Sequence, residues 1–528
     1  MGEWASRLRW FAGAFFFGVV FLFALVGIAQ ASVYTVGPRT LATGPSPFAP
    51  GCGGPHEALP TSVNYQDTEI EPWVAVDPTD PRHIVAFFQQ DRWSDGAAHG
   101  LVARISHDGG ASWPTTSFPE LSRCAGASRG DPGYFERSSD PWVSFSPNGN
   151  LYAISISTDI STARNAVVVS RSTNGGSSWE TPIRLKFDRN RADVPLGTKF
   201  NDKESITADP GNSRFAFAVW DRLVFPSGRA AAAAQEHNKF AFRGPTWFAR
   251  TANGGDSWQK ARPIFDPGEQ NQTLANQIVV EPNGDLVDGF TLLKSHGNPR
   301  NRGTSVGVIR SSDKGKTWSG PTIVAKEPSV GVSDPEPVNC LPPSVRTTPC
   351  TAVRTGDIVP DFAVDRSDGN LYAVWQEQDS VSSFGDDTIM LSRSTDGGRS
   401  WSDPVKVNDT PGGAYNTQAF TASVDVRGNG DVAVTYYDMR DDVAGDSTLD
   451  TDYWVAHSHD GGQTWSVSQQ LAGPFDMRSA PYARGYFVGD YEGLDNTGSL
   501  FAPFWIEGNG DQAFDALNKT DGFFSTAG

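Results

Sequence analysis

The chain has 528 residues and a formal net charge of −18 at pH 7, with 43 Lys and Arg against 61 Asp and Glu. This surplus of negative charge argues against nucleic acid and anionic membrane surfaces as partners. Gly, Pro and Trp are abundant, with 55, 36 and 16 residues, and long helical patterns are nearly absent, which favours an all-β protein.

The N-terminal segment has the pattern of an export signal. Two arginines precede an apolar run from Trp10 to Ile28, and the small-residue sequence AQA ends at Ala31. This pattern predicts a secretory signal peptide, residues 1–31, and a secreted protein. The run is nearly long enough to span a bilayer, so an uncleaved membrane anchor made of residues 10–31 is the alternative.

The four cysteines predict two disulfide bonds, because an even number of cysteines in an exported chain is typically paired. Three pairings are possible. We favour Cys340 with Cys350, which would close one proline-rich loop. Cys52 would then pair with Cys124 and hold the N-terminal arm to the first repeat.

Six octets share the pattern Ser/Thr-x-Asp/Asn-x-Gly-x-Ser/Thr-Trp, and the first is SHDGGASW, Ser106–Trp113. The third residue closes a tight turn by accepting hydrogen bonds from backbone N–H groups, and Gly at the fifth position supplies a positive φ. The Trp anchors the turn against neighbouring strands. Each octet is therefore predicted to be a structural hairpin turn, with these residues at the third position: Asp108, Asn174, Asn253, Asp313, Asp396 and Asp460.

The spacing between octets is too long for one hairpin and suits a four-stranded sheet with its loops, which is a propeller blade. The octets resemble the Asp boxes, or BNR repeats, of the sialidase-like β-propellers, and the resemblance covers most of the chain from about Glu69 onward. It implies an all-β propeller of four-stranded antiparallel blades. We assign residues 32–66 to an N-terminal arm with a closing strand, and residues 67–528 to the propeller.

A second repeat, a strand followed by a turn and another strand, occurs seven times and predicts seven blades. Six blades, the number in sialidases, is the alternative. The last hairpin ends at Glu507 and is followed by one predicted strand, around Gln512 to Asn518, and by no octet. A strand from within Val33 to Gln66 is therefore expected to complete the last blade and close the ring.

The long loops lie on the face opposite the octets, so function is expected there. Carboxylates that open the innermost strands are predicted to ring the central channel: Glu71, Asp140, Glu204, Asp361 and Asp490. A second charged set ends the second strands: Asp91, Arg92, Asp221, Arg222, Glu377, Asp438, Arg440 and Glu507. Salt bridges between blades are the alternative role for these charges.

The resemblance to sialidases implies three arginines that bind a substrate carboxylate, a tyrosine nucleophile activated by a glutamate, and an aspartate acid/base. From position in the repeats, the substrate-binding candidates are Arg92, Arg222 and Arg440. The catalytic candidates are Tyr491 as nucleophile, Glu204 and Glu377 as bases, and Asp91 as acid. The early Arg-Ile-Pro motif of the family is missing, so these roles rest on position alone.

The sequence favours an exported, monomeric, sialidase-like glycoside hydrolase that acts on extracellular glycans or glycoproteins. The alternative is a non-catalytic propeller that binds glycan or protein through the face opposite the octets. No zinc motif is present and no cofactor is expected. The acidic stretch from Asp438 to Asp452 is interpreted either as a solvated loop or as a Ca²⁺ site at Asp438, Asp441, Asp442 and Asp446.

Overall fold

The computed structural model describes residues 34–189, 199–225, 243–295, 302–336, 352–379, 386–412, 416–428, 430–513 and 516–528. The predicted signal segment and the predicted Cys340–Cys350 disulfide lie outside these residues. Among the described residues, no helix has the length and apolar character needed to cross a membrane.

Short apolar strands separated by Gly-, Asn- and Pro-rich turns form five four-stranded antiparallel sheets, one eight-stranded sheet and one small three-stranded sheet in the described part of the chain. The eight-stranded sheet is described below as two four-stranded units, sheets 1 and 2, because only the pairing of Ala98 with Ser138 joins them. The N-terminal strand β1 (Thr40–Leu41) is the edge strand of sheet 7, at the opposite end of that sheet from its innermost strand. Sheet 1 contains β2 (Asn64–Asp77), β3 (Asp80–Trp93), β4 (Ala98–Ser106) and β5 (Thr115–Ser117). Sheet 2 contains β6 (Arg137–Phe145), β7 (Leu151–Thr158), β8 (Arg164–Ser172) and β9 (Ile183–Arg189).

The next sheets repeat this order. Sheet 3 contains β10 (Lys199–Ala208), β11 (Ala216–Val224), β12 (Thr246–Thr251) and β13 (Arg262–Phe265). Sheet 4 contains β14 (Asn271–Val280), β15 (Leu286–Lys294), β16 (Gly303–Ser311) and β17 (Thr322–Lys326). The short strands β18 (Val332–Ser333) and β19 (Ala352–Arg354) follow.

The C-terminal part completes the set. Sheet 5 contains β20 (Asp361–Val364), β21 (Leu371–Gln378), β22 (Asp387–Ser394) and β23 (Val405–Lys406). Sheet 6 contains β24 (Ala419–Val426), β25 (Val432–Asp438), β26 (Asp450–Ser458) and β27 (Gln469–Asp476), and a 3-10 turn (Met477–Ser479) and β28 (Tyr486–Phe487) follow. Sheet 7 adds β29 (Gly493–Asn496), β30 (Phe501–Gly508) and β31 (Thr520–Phe524) to β1.

Apolar cores lie between neighbouring sheets. One core joins Ile154 of sheet 2 to the fully buried Trp220 of sheet 3, and another joins Val374 of sheet 5 to Tyr436 of sheet 6. The first strand of each sheet contacts the first strand of the next, and β29 of sheet 7 contacts β2 of sheet 1. The first strands therefore lie innermost, and the hydrophobic burial that stabilises the fold is shared between adjacent sheets.

All seven predicted strand-turn-strand hairpins are present as antiparallel pairs. The strand predicted around Gln512 to Asn518 is wrong in position, because the last strand is Thr520–Phe524. Asn518 has a φ of +50°, which is incompatible with an extended strand. A strand within Val33 to Gln66 does join the last sheet, since β1 pairs with β31.

The six octets form the turns between the third and fourth strands of sheets 1 to 6. In the first, the Ser106 hydroxyl donates to Asp108 (Oγ–Oδ1, 2.8 Å) and accepts from the Gly110 N–H (2.8 Å). The Ser112 N–H donates to Asp108 Oδ1 at 2.9 Å. The second octet makes the same bonds around Asn174, so the turn needs the oxygen at this position and not its charge.

The predicted disulfide between Cys52 and Cys124 is confirmed. It joins the N-terminal arm, which precedes β2, to the loop that follows β5. The arm is therefore attached to sheet 1 by the disulfide and to sheet 7 by the pairing of β1 with β31.

Candidate functional site

Five innermost strands carry a bulge at corresponding positions, and the first bulged residue has a positive φ in each. These residues and angles are Glu71 (+50°), Asp140 (+53°), Lys203 (+45°), Ala275 (+57°) and Thr421 (+49°). Holding a residue other than Gly in this region costs on the order of 1 kcal/mol and is typical of functional sites. Three consecutive sheets use this bulge to bring charged side chains together, with Lys203 Nζ 3.5 Å from Asp140 Oδ1.

A small additional sheet, which we call the cap sheet, carries further charge to the same place. It consists of β18, β19 and β28, and β19 pairs in parallel with β28. Arg354 ends β19, and Arg484 lies in the turn before β28 with a φ of +69°. A Cβ at Gly485 would lie 2.7 Å from the Arg354 backbone nitrogen, so the turn can approach β19 only because this residue is glycine.

The charged cluster is defined as Glu71, Arg92, Asp140, Asp202, Lys203, Arg354, Arg484 and Asp490, together with Tyr491. Arg354 and Asp490 form a two-pronged ion pair, with Nε–Oδ1 and Nη2–Oδ2 distances of 3.1 and 2.6 Å. The Arg354 guanidinium carbon lies 4.0 Å from the centre of the Phe487 ring, and that of Arg92 lies 5.2 Å from the same ring. Arg354 is also the main cause of the lowered pKa of Arg484, so the three guanidinium groups are neighbours.

Burial and neighbouring charge separate the pKa values of the carboxyl groups in the charged cluster. Burial, reinforced by Asp140, raises the pKa of Glu71 to about 8 and that of Asp202 to about 7. Burial also acts to raise the pKa of Asp490, but the Arg354 guanidinium outweighs it and the pKa falls to about 2. A hydrogen bond from Glu71 contributes to this low value. At neutral pH a protonated carboxyl group therefore lies beside an ionised one, because their surroundings shift the two pKa values in opposite directions.

Tyr491 lies within the charged cluster as a neutral phenol. Its pKa is raised well above the usual value, mainly by burial and then by Glu71. The hydroxyl group donates a hydrogen bond to the Pro141 carbonyl oxygen at 3.2 Å, and Lys203 Nζ lies 3.6 Å from the ring centre. In this arrangement the phenol is not activated as a nucleophile.

Two stacked indole rings, those of Trp73 and Trp142, lie next to Tyr491 of the charged cluster. The ring centroids of Trp73 and Trp142 are 3.3 Å apart with an interplanar angle of 23°, and Tyr491 packs beside Trp142. Beyond them, towards the turns that join first and second strands, lies a cavity of 560 Å³, whose lining includes Asp361, Asp425 and Asp495. Trp73 and Trp142 themselves line this cavity, so they lie between it and Tyr491 of the charged cluster.

The three arginines chosen from the sequence have no binding partner in common. Arg92 belongs to the charged cluster and donates to Gln89 Oε1 at 2.8 Å. The other two do not join it: Arg222 pairs with Asp188 (Nε–Oδ2, 3.1 Å), and Arg440 pairs with Asp438 (Nε–Oδ2, 2.7 Å). In this structure Arg222 is held by a carboxylate of the neighbouring sheet 2 and Arg440 by a carboxylate of its own sheet 6, so the three arginines do not meet. A role of Arg92, Arg222 and Arg440 in substrate binding stays a prediction.

The candidate acid Asp91 and candidate base Glu377 also lie outside the charged cluster. Asp91 is fully buried and accepts hydrogen bonds from the Ser46 hydroxyl (2.8 Å), the Asp67 N–H (2.8 Å) and His99 Nδ1 (3.0 Å). Glu377 accepts from Trp375 Nε1 at 2.7 Å at the end of β21. These contacts fix local structure, and neither carboxylate contacts the cluster.

Glu204 and Asp361, the other two members of the predicted ring of carboxylates, are not part of the charged cluster. Glu204 is 3% exposed, and in the described structure neither carboxylate oxygen has a hydrogen-bond partner. Burial raises the pKa of Glu204 well above the usual value. Asp361 accepts from the Val424 N–H at 2.8 Å and faces the cavity. Of the predicted ring, Glu71, Asp140 and Asp490 meet in the charged cluster.

Sequence reasoning missed three cations of the charged cluster. Lys203 immediately precedes the chosen Glu204, and the bulge in β10 shows that Lys203 is the equivalent of Glu71 and Asp140. Lys203 is recognised when the inner strands are aligned on the bulge seen in the structure, instead of on their acidic residues. Arg354 and Arg484 follow no repeat, since they come from irregular connections that carry the cap sheet.

The four aspartates proposed for Ca²⁺ do not share one site in the described residues. The carboxylates of three of them accept hydrogen bonds from separate side chains, while Asp441 is exposed. These donors are Thr410 for Asp438, Asn416 for Asp442 and Thr448 for Asp446. Calcium binding by this loop stays a prediction.

No protein-family model and no curated protein matches the sequence. Solved structures do match. The Hadza microbial sialidase Hz136 is 15% identical over 80% of this chain and 73% of that one, with a TM-score of 0.42. The NanB sialidase from Streptococcus pneumoniae is 10% identical over 88% and 94%, with a TM-score of 0.44. An alpha-L-arabinofuranosidase from Fusarium graminearum is 9% identical over 71% and 93%, with a TM-score of 0.42. At these TM-scores the matches do not indicate which reaction, if any, this chain catalyses.

Proposed function

We propose that the chain is an exported glycoside hydrolase that cleaves carboxylate-bearing sugars from extracellular glycans or glycoproteins, in the manner of a sialidase. The charged cluster is its active site. The observation that carries this proposal is the grouping of four cationic side chains around the Arg354–Asp490 ion pair, with Glu71 in the same cluster.

The proposed architecture is a single propeller of seven blades, which are sheets 1 to 7. The cyclic contacts of the innermost strands and the pairing of β1 with β31 support a closed ring. In this architecture the octet turns and the charged cluster lie at opposite ends of the blades. The protein acts as a secreted monomer.

The cations of the charged cluster would bind the substrate carboxylate. With Glu71 and Asp202 protonated, the four cationic groups Arg92, Lys203, Arg354 and Arg484 outnumber the two remaining carboxylates of the cluster, Asp140 and Asp490. The site is therefore electropositive in a strongly acidic protein. Guanidinium groups suit this role because their planar donors match the geometry of a carboxylate.

Glu71 would act as the general acid that protonates the leaving-group oxygen as the glycosidic bond breaks. Water would then add its hydroxyl group to the anomeric carbon and return a proton to Glu71. A pKa of about 8 keeps its proton available at neutral pH. Asp140 and Asp490 would stabilise the positive charge that develops on the sugar ring in the transition state. Tyr491 would contact the substrate as a neutral group that an anionic sugar does not repel.

The second candidate function is binding of a carboxylate-bearing glycan without turnover. The hydrogen bond from the Tyr491 hydroxyl to the Pro141 carbonyl favours it, because a phenol in that contact is not poised for attack. Both functions use the same cations, so they differ only in whether Glu71 and Asp490 perform chemistry.

A panel of fluorogenic glycosides tests the proposal, with α-sialosides, β-glucuronides and uncharged glycosides incubated with the purified secreted chain. We expect release from a carboxylate-bearing sugar and none from its uncharged counterpart. Arg354→Gln should lose this activity. Arg222→Gln is the matched control, since that arginine pairs with Asp188 outside the charged cluster, and it should retain activity.

The outcomes separate the two functions. Binding of the free acidic sugar without release from any glycoside, lost in Arg354→Gln, would establish the second function. Neither binding nor release would refute both, and equal losses in Arg354→Gln and Arg222→Gln would refute the assignment of the site.

A further inference from the structure

A second group of reactive side chains lies where the N-terminal arm crosses sheet 1, away from the charged cluster. It comprises the Cys52–Cys124 disulfide, His99 on β4 and Glu57 in the arm. A ring nitrogen of His99 and the two sulfur atoms lie within 4.8 Å of one another. None of these residues has a role in the proposed hydrolysis.

His99 has the hydrogen bonding of a metal-binding histidine. Its Nδ1 lies 3.0 Å from Asp91 Oδ2, and because a carboxylate only accepts, Nδ1 carries the proton of this pair. Metal-ligating histidines usually donate their second ring N–H to a carboxylate in this way, which leaves the other nitrogen free to bind the metal. His99 is 1% exposed, and its Nε2 has no hydrogen-bond partner in the described structure.

Glu57 supplies a second buried atom without a partner. Its Oε2 lies 3.7 Å from His99 Nε2, which is beyond hydrogen-bond distance, and it accepts no hydrogen bond in the described part of the chain. Glu57 is 8% exposed. Two adjacent buried polar atoms left unsatisfied are costly, and a shared ligand would remove that cost.

We propose that Cys52, Cys124, His99 and Glu57 bind one Zn²⁺ ion when the disulfide is reduced. Two thiolates, one imidazole nitrogen and one carboxylate oxygen form the tetrahedral donor set that zinc prefers. While the disulfide is intact, its sulfur atoms are not thiolates and the site takes no metal.

The reduction is a thiol–disulfide exchange with a dithiol reductant. The dithiol transfers two electrons and two protons to the disulfide, its own sulfur atoms become a disulfide, and Cys52 and Cys124 become thiols. Zinc binding then releases the two thiol protons to solvent, and no other redox partner is needed. Both cysteines are partly exposed, which gives a reductant access.

The arm would keep a cross-link to sheet 1 in both redox states, as a disulfide when oxidised and as a zinc bridge when reduced.

Cobalt titration tests the proposal, because Co²⁺ in a tetrahedral thiolate site shows thiolate charge-transfer and ligand-field absorption. The full chain is used with Cys340→Ser and Cys350→Ser, so that only Cys52 and Cys124 provide thiols. After reduction by a phosphine and its removal, we expect one Co²⁺ per chain, displaced by Zn²⁺. The oxidised protein should show no such absorption.

Two variants and one control assign the ligands. His99→Gln and Glu57→Gln should each weaken binding at least about tenfold. His83→Gln is the matched control, since His83 also faces a carboxylate, with Nδ1 3.1 Å from Asp77 Oδ2, but its Nε2 lies 2.9 Å from the Gly175 carbonyl oxygen. That variant should bind normally.

Absence of the thiolate absorption in the reduced protein would overturn the proposal. Unchanged affinity in both His99→Gln and Glu57→Gln would also overturn it, because the metal would then be held by the cysteines alone. Circular dichroism shows whether each variant is folded, and if His99→Gln is not, Glu57→Gln decides the result. The readout does not depend on glycoside hydrolysis.

Discussion

The octet turns and the inner-strand bulges both recur with the same strand repeat. The octets keep the same kinds of side chain in every copy, whereas the bulges do not. All six octets make the same hydrogen bonds from one Ser or Thr hydroxyl and one Asp or Asn oxygen. At the corresponding inner-strand bulges the residue is acidic, basic or uncharged, although the backbone is alike in each. Repetition of a side chain therefore marks a structural role here, whereas repetition of a backbone shape with changing side chains marks the candidate site.

The variant Glu71→Gln should have the largest effect, and it tests whether function lies in the charged cluster rather than in the octets. Removal of a general acid typically lowers turnover by about 10²- to 10⁴-fold, and we expect that loss for the carboxylate-bearing substrate. In the wild-type protein kcat/KM should fall as the pH rises through about 8, where Glu71 loses its proton, and this limb should vanish in the variant. A pH–rate profile measures both effects, and unchanged turnover would exclude Glu71 as the acid.

Arg354→Ala should have the next largest effect, on stability. Arg354 and Asp490 are partly buried, so removing Arg354 leaves Asp490 charged and unpaired and costs up to about 3–5 kcal/mol, the range for a fully buried pair. The low pKa of Asp490 stabilises the wild-type fold above its usual value of 3.8, and this contribution is lost as the pH falls towards about 2. The variant should lack that acid-dependent loss. Urea denaturation across this range measures both effects.

The double variant Arg354→Ala with Asp490→Asn is the control for that experiment. Because it removes both charges, it should recover part of the stability lost in Arg354→Ala. A double variant less stable than the sum of the two single changes would contradict the assigned ion pair.

The pH dependence of stability near neutrality should distinguish the charged cluster from the turns. Glu71 and Asp202 are protonated in the fold up to about pH 8 and 7, whereas in the unfolded chain they ionise near 4.5 and 3.8. The folded form is therefore favoured at low pH, and stability falls as the pH rises through this window by about 1.4 kcal/mol per pH unit for each group. Melting temperatures at pH 5 to 8 measure the slope, which should be flatter in the variant Glu71→Gln with Asp202→Asn.

The smallest expected effect is in an octet. Asp396→Ala removes the oxygen that accepts from the Arg399 and Ser400 N–H groups, both at 2.9 Å, and should lower the free energy of unfolding by about 1 kcal/mol. Asp396→Asn should cost less, because Asn174 and Asn253 make the same turn. Ligand binding and turnover should be unchanged in both. Loss of binding at full thermal stability would place function at the octets instead.

Most of the fold was predictable because it repeats. The hairpins follow from alternation of apolar strands with Gly- and Asn-rich turns, and the octets carry their turn chemistry in the sequence. The final strand was misplaced because Thr520–Phe524 contains Gly522, which weakens the strand pattern. A Cβ there would lie 2.7 Å from Thr43 Cγ2, so the glycine serves close packing of the arm.

The candidate site was predictable only in part, for two physical reasons. The bulge in β10 changes which residue of the Lys203–Glu204 pair joins the charged cluster, and a bulge leaves no clear trace in an alternating pattern. Arg354 depends on pairing between β19 and β28, which are short and distant in the sequence. Arg92 and Tyr491 were identified because each lies in or beside a regular repeat.

The pairing of β1 with β31 sets the order in which the chain is able to fold. Sheets 1 to 6 each form from one contiguous segment and can assemble as synthesis proceeds, whereas Thr40 and Phe524 are 484 residues apart. A loop of that length adds little to the thermodynamic cost of closure, because the cost grows only with the logarithm of length. The effect is on timing: until Phe524 has been made, β30 lacks its outer neighbour and exposes an unpaired strand edge. A chain that has reached β30 but not β31, rather than a short nascent one, is therefore the form most exposed to aggregation.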